Sequence, residues 1–306
     1  MTTIADGTLA VPFTFGTPQP FESLWLVPLF AAGEPRAEYL GLDEAVAHGL
    51  VVREVDEAGA VNSLVVDNPL DVPVLLYEGE ELVGAKQNRI LDGSTLVPAK
   101  ARTVVAVSCV ERGRWAYRSR ARDTVSQASA RSFTPAPRAA YPDLRRAKHE
   151  GAAQGEVWQS VAAKAARLDA HSATEAAEQL YVSRAAPLEK FLAALPRHDG
   201  QCGAVACIGG RVTCVDWVSR SDAWASLHAK LVRGYALDAI EQPRRAPFPS
   251  RALALLALAV GRAPRFAAPA GTIGEIRRIE DERIVGTELA VDGEVVTLTA
   301  FPRGRA

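Results

Sequence analysis

The sequence lacks most of the residue patterns by which an enzyme announces its chemistry. Its four cysteines, Cys109, Cys202, Cys207 and Cys214, include no Cys-x-x-Cys pair. Each sits in a run of β-branched or small residues of the kind that forms buried strands, so they read as reduced core thiols and not as a metal set. The five histidines, at 48, 149, 171, 198 and 228, show neither His-x-His nor His-x-x-x-His spacing, which argues against a histidine-rich metal site. There is no P-loop, no glycine fingerprint for a dinucleotide and no Ser-His-Asp order. Charge of one sign is also missing: the net value is −1, which gives no overall attraction to nucleic acid or to an anionic membrane. The most apolar run, Ser250 to Val260, is far too short to span a bilayer. The first residues, MTTIADGTLAVPF, hold no basic segment followed by an apolar core, so the expected location is cytoplasmic.

What is present is the composition of a globular protein. In 306 residues, 48% are hydrophobic and 23% charged, enough for a substantial core arranged as two domains or one large mixed domain. Up to residue 118 the punctuation is that of β structure. Ser23–Phe30, Leu50–Val55, Val61–Val66, Val72–Tyr77 and Thr103–Val110 are short apolar or alternating runs bounded by Gly, Pro, Asp and Asn. One short helix, Leu42 to His48, starts with Asp43 and Glu44 and stops at Gly49. Between Arg112 and Lys148 ten Lys or Arg residues face only Asp123 and Asp143, and residues 119–148 read as a basic loop or linker able to meet phosphates.

From 149 to 306 the pattern is α+β. Trp158, Val161, Ala162, Ala165 and Leu168 share a helical stripe, and Ser172 with Glu175 forms an S-x-x-E box that should open a second helix toward Leu195. Cys202–Ile208 and Arg211–Trp217 flank Gly209-Gly210, a hairpin turn. Ser221 should cap a helix carrying Trp224, Leu227, Leu231, Val232, Tyr235 and Ile240, and Ser250–Val260 reads as a helix buried between layers. Strands return at Glu275–Ile279, Ile284–Val291 and Glu294–Phe301, the last two joined by Asp292-Gly293. The expected fold is α+β, a β-rich N-terminal half with a sandwich- or barrel-like sheet packed as one unit with an α+β C-terminal half.

The polar residues concentrate between Val74 and Trp115. Strand alternation puts Glu78 and Glu80 on one face, with Gly79 allowing close approach. Two such carboxylates can be split into acid and base, or can hold a divalent cation; the same Glu-Gly-Glu-Glu is also ordinary turn sequence. Gln87, Asn88 and Arg89 supply amides that donate and accept, followed by a planar guanidinium, a set suited to a sugar, a base edge or a phosphate. Cys109 and Glu111 share a face; the carboxylate makes Cys109 a poor nucleophile, leaving Glu111 as a third candidate acid or base. Arg114 can pair with Glu111, and Trp115 can stack on a base or pack at a sheet edge. The candidate catalytic residues are therefore Glu78, Glu80 and Glu111, and the candidate ligand-binding residues Gln87, Asn88, Arg89, Arg114 and Trp115.

The segments EGEELVGAKQNRI, VSCVERGRW, LRRAK, QGEVW at Gln154–Trp158 and KLVRGYALDAI resemble the ARG-and-rhodanese-phosphatase-superfamily-associated protein domain family, over nearly the whole chain. The resemblance implies a place in ADP-ribose or related nucleotide metabolism. The expectation is recognition or processing of an ADP-ribose-like ligand, with ADP-ribosylglycohydrolase or phosphatase-like proteins as partners. The alternative is a non-catalytic scaffold that uses the basic segment as an adaptor. Nucleic-acid binding is disfavoured, because the basic residues lack interleaved aromatics and no helix-turn-helix pattern is visible.

Overall fold

The computed structural model describes residues 2–4, 7–9, 11–116, 132–242, 246–269 and 272–303. In chain order the strands and helices begin with β1 (Thr2–Ile4), β2 (Gly7–Leu9), β3 (Phe13–Phe15), β4 (Gln19–Phe21), β5 (Leu24–Ala31), β6 (Leu40–Gly41) and α1 (Leu42–Ala47). Next come β7 (Val51–Glu54), β8 (Ser63–Asn68), β9 (Val74–Leu76), β10 (Glu80–Gly84), β11 (Arg89–Leu91), β12 (Thr95–Val97), β13 (Ala101–Cys109) and β14 (Ser132–Ala139). The helical part follows with α2 (Pro142–His149), α3 (Gln154–Arg167), α4 (Glu178–Ser183) and α5 (Ala185–Ala194). The chain then forms β15 (Gln201–Ile208), β16 (Arg211–Val218), α6 (Ser221–Ala239), α7 (Ser250–Arg262), β17 (Arg265–Pro269), β18 (Glu275–Glu280), β19 (Ile284–Val291) and β20 (Glu294–Pro302). The class is α+β, with a β-rich N-terminal half that includes a barrel.

Two compact units interleave along the chain. One comprises residues 38–140 and 151–185, the other 1–37, 141–150 and 186–306. In the first, six strands close in the order β10-β11-β13-β8-β7-β14, beside a three-stranded sheet β12-β9-β6. Period-2 alternation explains the barrel wall. On β13, Thr103, Val105 and Val107 are buried while Arg102, Val104 and Ala106 are exposed. Val105 and Val107 join Leu64, Val66, Leu82, Leu91 and Phe133 in the core. Closure between β10 and β14 depends on Gly84, which pairs with Phe133 at φ +143°; a Cβ there would lie 2.5 Å from the Ser132 carbonyl oxygen.

In the second unit a nine-stranded sheet runs β17-β18-β19-β20-β16-β15-β5-β3, with β4 also paired to β5. Every residue of β15 is buried, as a central strand covered on both faces requires. Val205 and Cys207 pack with Val215, Trp217, Leu256 and Val260, so α7 covers one face. Helix α6 packs against β15 and β16. Beneath α6 lies a buried polar knot: Asp216 accepts from Arg145 Nη1 at 3.0 Å and Nη2 at 2.5 Å, and from the Tyr235 hydroxyl at 2.7 Å. Both tight turns have left-handed backbone, at φ +58° and +78° for Gly209-Gly210 and +48° and +79° for Asp292-Gly293.

Several expectations are corrected. The segment 119–148 is not all loop, since β14 and α2 occupy its second half; residues 117–131 lie outside the described residues. The S-x-x-E box does not start a helix. Glu175 adopts φ +52°, incompatible with helix, and the Ser172 hydroxyl accepts from the Thr174 and Ala176 N–H groups in a turn. The run toward Leu195 is divided between α4 and α5. Ser221 is the first helical residue of α6, not its cap. The buried stripe of α3 is Val157, Val161 and Lys164, with Ala162 exposed, and α7 buries only Leu256, Ala257 and Val260. Among the described residues no helix is long and apolar enough to cross a membrane.

Candidate functional site

The barrel register brings the two polar motifs together. Leu82 pairs with Arg89, and Arg89 with Cys109, across β10, β11 and β13. Residues directly opposite in a ladder share a face, and Leu82 belongs to the core, so Arg89 and Cys109 point to the barrel interior at one end. Arg89, a candidate ligand-binding residue, is completely buried. Its Nη1 donates to Gln87 Oε1 at 2.9 Å and its Nη2 to the Ala60 carbonyl at 3.5 Å. Its Nε has no partner, and among the described residues no carboxylate forms an ion pair with it. Burial pushes Arg89 below its ordinary pKa, partly offset by Cys109, Glu54 and Glu111. The Gln87 carbonyl also accepts from Cys109 Sγ at 3.1 Å, and burial raises the thiol above its usual value.

Glu111 and Arg114 follow β13 and meet Asn88. Glu111 Oε2 accepts from the Asn88 N–H at 3.0 Å and from Arg114 Nη2 at 2.7 Å, and Oε1 accepts from the Thr174 hydroxyl at 2.8 Å. Burial alone would raise this carboxyl, but the bonds from Arg114, Thr174 and Asn88 outweigh it and hold Glu111 below the usual carboxylate range. Arg114 spreads its fork further, to the carbonyls of Ala85 at 2.6 Å, Gly84 at 3.2 Å and Ala116 at 2.7 Å, and to Asn88 Oδ1 at 3.3 Å. Asn88 Nδ2 reaches Glu178 at 3.3 Å; Glu178 lies 3.5 Å from Arg138, which grips Glu81 through two bonds of 2.6 and 3.0 Å.

Trp115 stands apart from these buried groups. It is 46% exposed, with Lys86 Nζ 5.2 Å and the Arg89 guanidinium carbon 5.7 Å from its ring centre. Lys86 is itself tied to the carbonyls of Glu57 and Ala58 at 2.6 Å each, so the loop after β7 is strapped over this end of the barrel.

Glu78 and Glu80 do not share a strand face. Glu78 lies in the turn before β10, where Gly79 takes φ +79°, so alternation does not apply. The Glu78 N–H donates to Ser94 Oγ at 3.2 Å, and Glu80 Oε2 accepts from the Tyr77 N–H at 3.0 Å. Both side chains are buried. Among the described residues no group of three His, Cys, Asp or Glu side chains is arranged to hold a metal ion.

Sequence reasoning did not select Glu81, Arg138, Gln154, Thr174 or Glu178. Gln154 opens α3 and clamps the Cys109 backbone from both sides, its Oε1 accepting from the N–H and its Nε2 donating to the carbonyl, each at 2.8 Å. Thr174 belongs to a segment that extends β13 by pairing, through the Glu111–Ala176 bridge and the Ala177 N–H to Val110 carbonyl bond. Glu81 lies within EGEELVGAKQNRI and Gln154 within QGEVW, both read as markers without a role for these residues, whereas Arg138, Thr174 and Glu178 are remote in the chain and carried no signal. A family model described as ARG and Rhodanese-Phosphatase-superfamily-associated Protein domain matches residues 12–301. No curated protein and no solved structure matches the chain.

Proposed function

The chain belongs to the ARG and Rhodanese-Phosphatase-superfamily-associated Protein domain family, and from that premise we propose that its barrel unit recognises an ADP-ribose-like or related nucleotide ligand without turning it over. The observation that carries this reading is Trp115, an exposed indole with two cations against its ring in an otherwise buried polar cluster. An exposed aromatic face stacks a base, and Lys86, whose Nζ lies 5.2 Å from the ring centre, suits a phosphate beside it. The carboxylates favour binding over catalysis. Glu80 is spent on a backbone N–H, and Glu111 is held ionised by three donors, away from the near-neutral pKa that general acid–base work needs.

Calorimetric titration with ADP-ribose tests this, using wild type and Trp115→Ala. Stacking on one aromatic is worth about 1–3 kcal/mol per base, so the variant should bind roughly 10- to 100-fold more weakly while keeping its fold. Equal affinity in the two proteins, or no binding by wild type, overturns the reading.

A second reading, a non-catalytic scaffold, is favoured by the family description, which associates the domain with rhodanese-phosphatase-superfamily proteins. It predicts co-elution with a phosphatase-like partner or an ADP-ribosylglycohydrolase in size-exclusion chromatography, with no response to ADP-ribose.

A further inference from the structure

We propose that the sheet-bearing unit carries a second, separate ligand site, an open cleft of about 1150 Å³ that takes a phosphate monoester with an apolar or aromatic body. Four arginines from four places in the fold line it: Arg146 from α2, Arg211 after the Gly209-Gly210 turn, Arg283 from the turn between β18 and β19, and Arg303 after β20. One wall is apolar, made by α7 through Ala252, Leu255, Leu256 and Ala259. A cleft that joins convergent guanidinium groups to an apolar wall has the make-up of a small-molecule site.

Among the described residues, two of the four arginines are paired with an acid and two are not. The lining acids are Asp143, Asp238 and Glu241. Asp143 is paired with Arg146 at 3.2 Å, Asp238 accepts the Asp143 N–H at 3.1 Å, and Glu241 is engaged within the chain. Arg303 pairs with Glu280 and donates Nε to the Asp281 carbonyl at 2.8 Å. Arg211 and Arg283 are exposed, and among the described residues neither has a carboxylate within 4.0 Å. Arg146 Nε is buried without a partner. Arginine's planar fork matches phosphate oxygens two at a time, so the two unpaired guanidinium groups supply the anion subsite. Leu255 is the complementary feature: a large apolar side chain 48% exposed on the wall of a charged cleft, where a ligand's apolar body would cover it.

The test is an NMR titration of the full chain with three probes: phenyl phosphate, inorganic phosphate and phenol. Phenyl phosphate should shift the amides of Gly209, Gly210 and the Ala252–Ala259 turn of α7 with a Kd of about 1 mM, and inorganic phosphate should act on the same glycines more weakly. Arg211→Ser and Arg283→Ser, both surface changes that leave the remaining spectrum in place, should each weaken both phosphates roughly 3- to 10-fold. Leu255→Ser should reduce phenyl phosphate to the affinity of inorganic phosphate and leave the latter unchanged. The proposal is overturned if neither phosphate shifts these amides at about 20 mM, if phenol binds as well as phenyl phosphate, or if the arginine variants bind like wild type.

Discussion

Arg114 should hold the candidate site together, and its removal should be felt as a loss of stability in the barrel unit. Its guanidinium makes five hydrogen bonds, to three backbone carbonyls, Asn88 Oδ1 and the Glu111 carboxylate. Arg114→Ala takes the guanidinium donor away from the carboxylate of Glu111, which is only 2% exposed. Breaking a buried pair by removing one partner costs roughly 3–5 kcal/mol. Arg114 keeps 11% of its side chain at the surface, where water can take over some of the freed carbonyls, so about 3 kcal/mol is expected. With a urea dependence of about 2 kcal/mol per molar, the midpoint should fall by roughly 1.5 M. The readout is hydrogen exchange at β10 and β13 through the urea series, with circular dichroism for the whole chain. Arg114→Lys keeps the charge but cannot span five acceptors from one ammonium, and should lose about 1–2 kcal/mol. The sign of the pH dependence is fixed by Glu111. Its folded pKa lies below the ordinary 4.5, so its contribution is fully present above pH 4.5 and disappears as pH falls through the folded value. The difference between wild type and Arg114→Ala should therefore shrink at acid pH. An unchanged midpoint at pH 7, or a lysine variant indistinguishable from wild type, refutes the staple.

In the sheet unit, Asp216→Asn should cost roughly 3–5 kcal/mol by leaving Arg145 buried without its carboxylate, whereas Asp216→Leu combined with Arg145→Met should recover much of that loss; urea unfolding compares them. Gly84→Ala should destabilise the barrel by roughly 2 kcal/mol or more, since it places a Cβ against the Ser132 carbonyl at a positive φ, and fast exchange of the β10 and β14 amides would report it. The four thiols should resist Ellman's reagent at pH 8 in the native protein and react fully in denaturant, because all are buried and burial pushes Cys207 up to about 12; rapid labelling of one thiol in native protein contradicts this.

What the sequence made legible follows from periodicity. The strands Leu24–Ala31, Val51–Glu54, Ser63–Asn68 and Ile284–Val291, both glycine-containing hairpin turns and helix α1 were readable because alternation, turn residues and stop signals are local. The meeting of Gln87-Asn88-Arg89 with Glu111 and Arg114 was also within reach, since it needs only β11 to pair with β13. What stayed hidden depends on distant partners. Arg145 and Asp216 are 71 positions apart, and neither carries a local sign of burial. Lys164 lies fully buried on α3, where a pattern reader assigns the stripe to the apolar Ala165. The Ser172–Glu175 box shows the limit of a motif: its spacing fits a helix start, yet the hydroxyl is used by a turn. Arginine is usually a surface residue, and nothing local marks Arg89 as one that the barrel register turns inward.

The barrel unit is proposed to bind a nucleotide-like ligand at Trp115 and to leave it intact. The most direct measurement follows the Trp115 indole resonance, assigned by its disappearance in Trp115→Ala, while ADP-ribose is added and the nucleotide is afterwards analysed by chromatography. A saturable shift of that resonance, with ADP-ribose recovered unchanged, is expected. An indole that does not move at saturating nucleotide contradicts the binding site, and a cleaved product that Glu111→Gln abolishes contradicts the assignment of recognition without turnover.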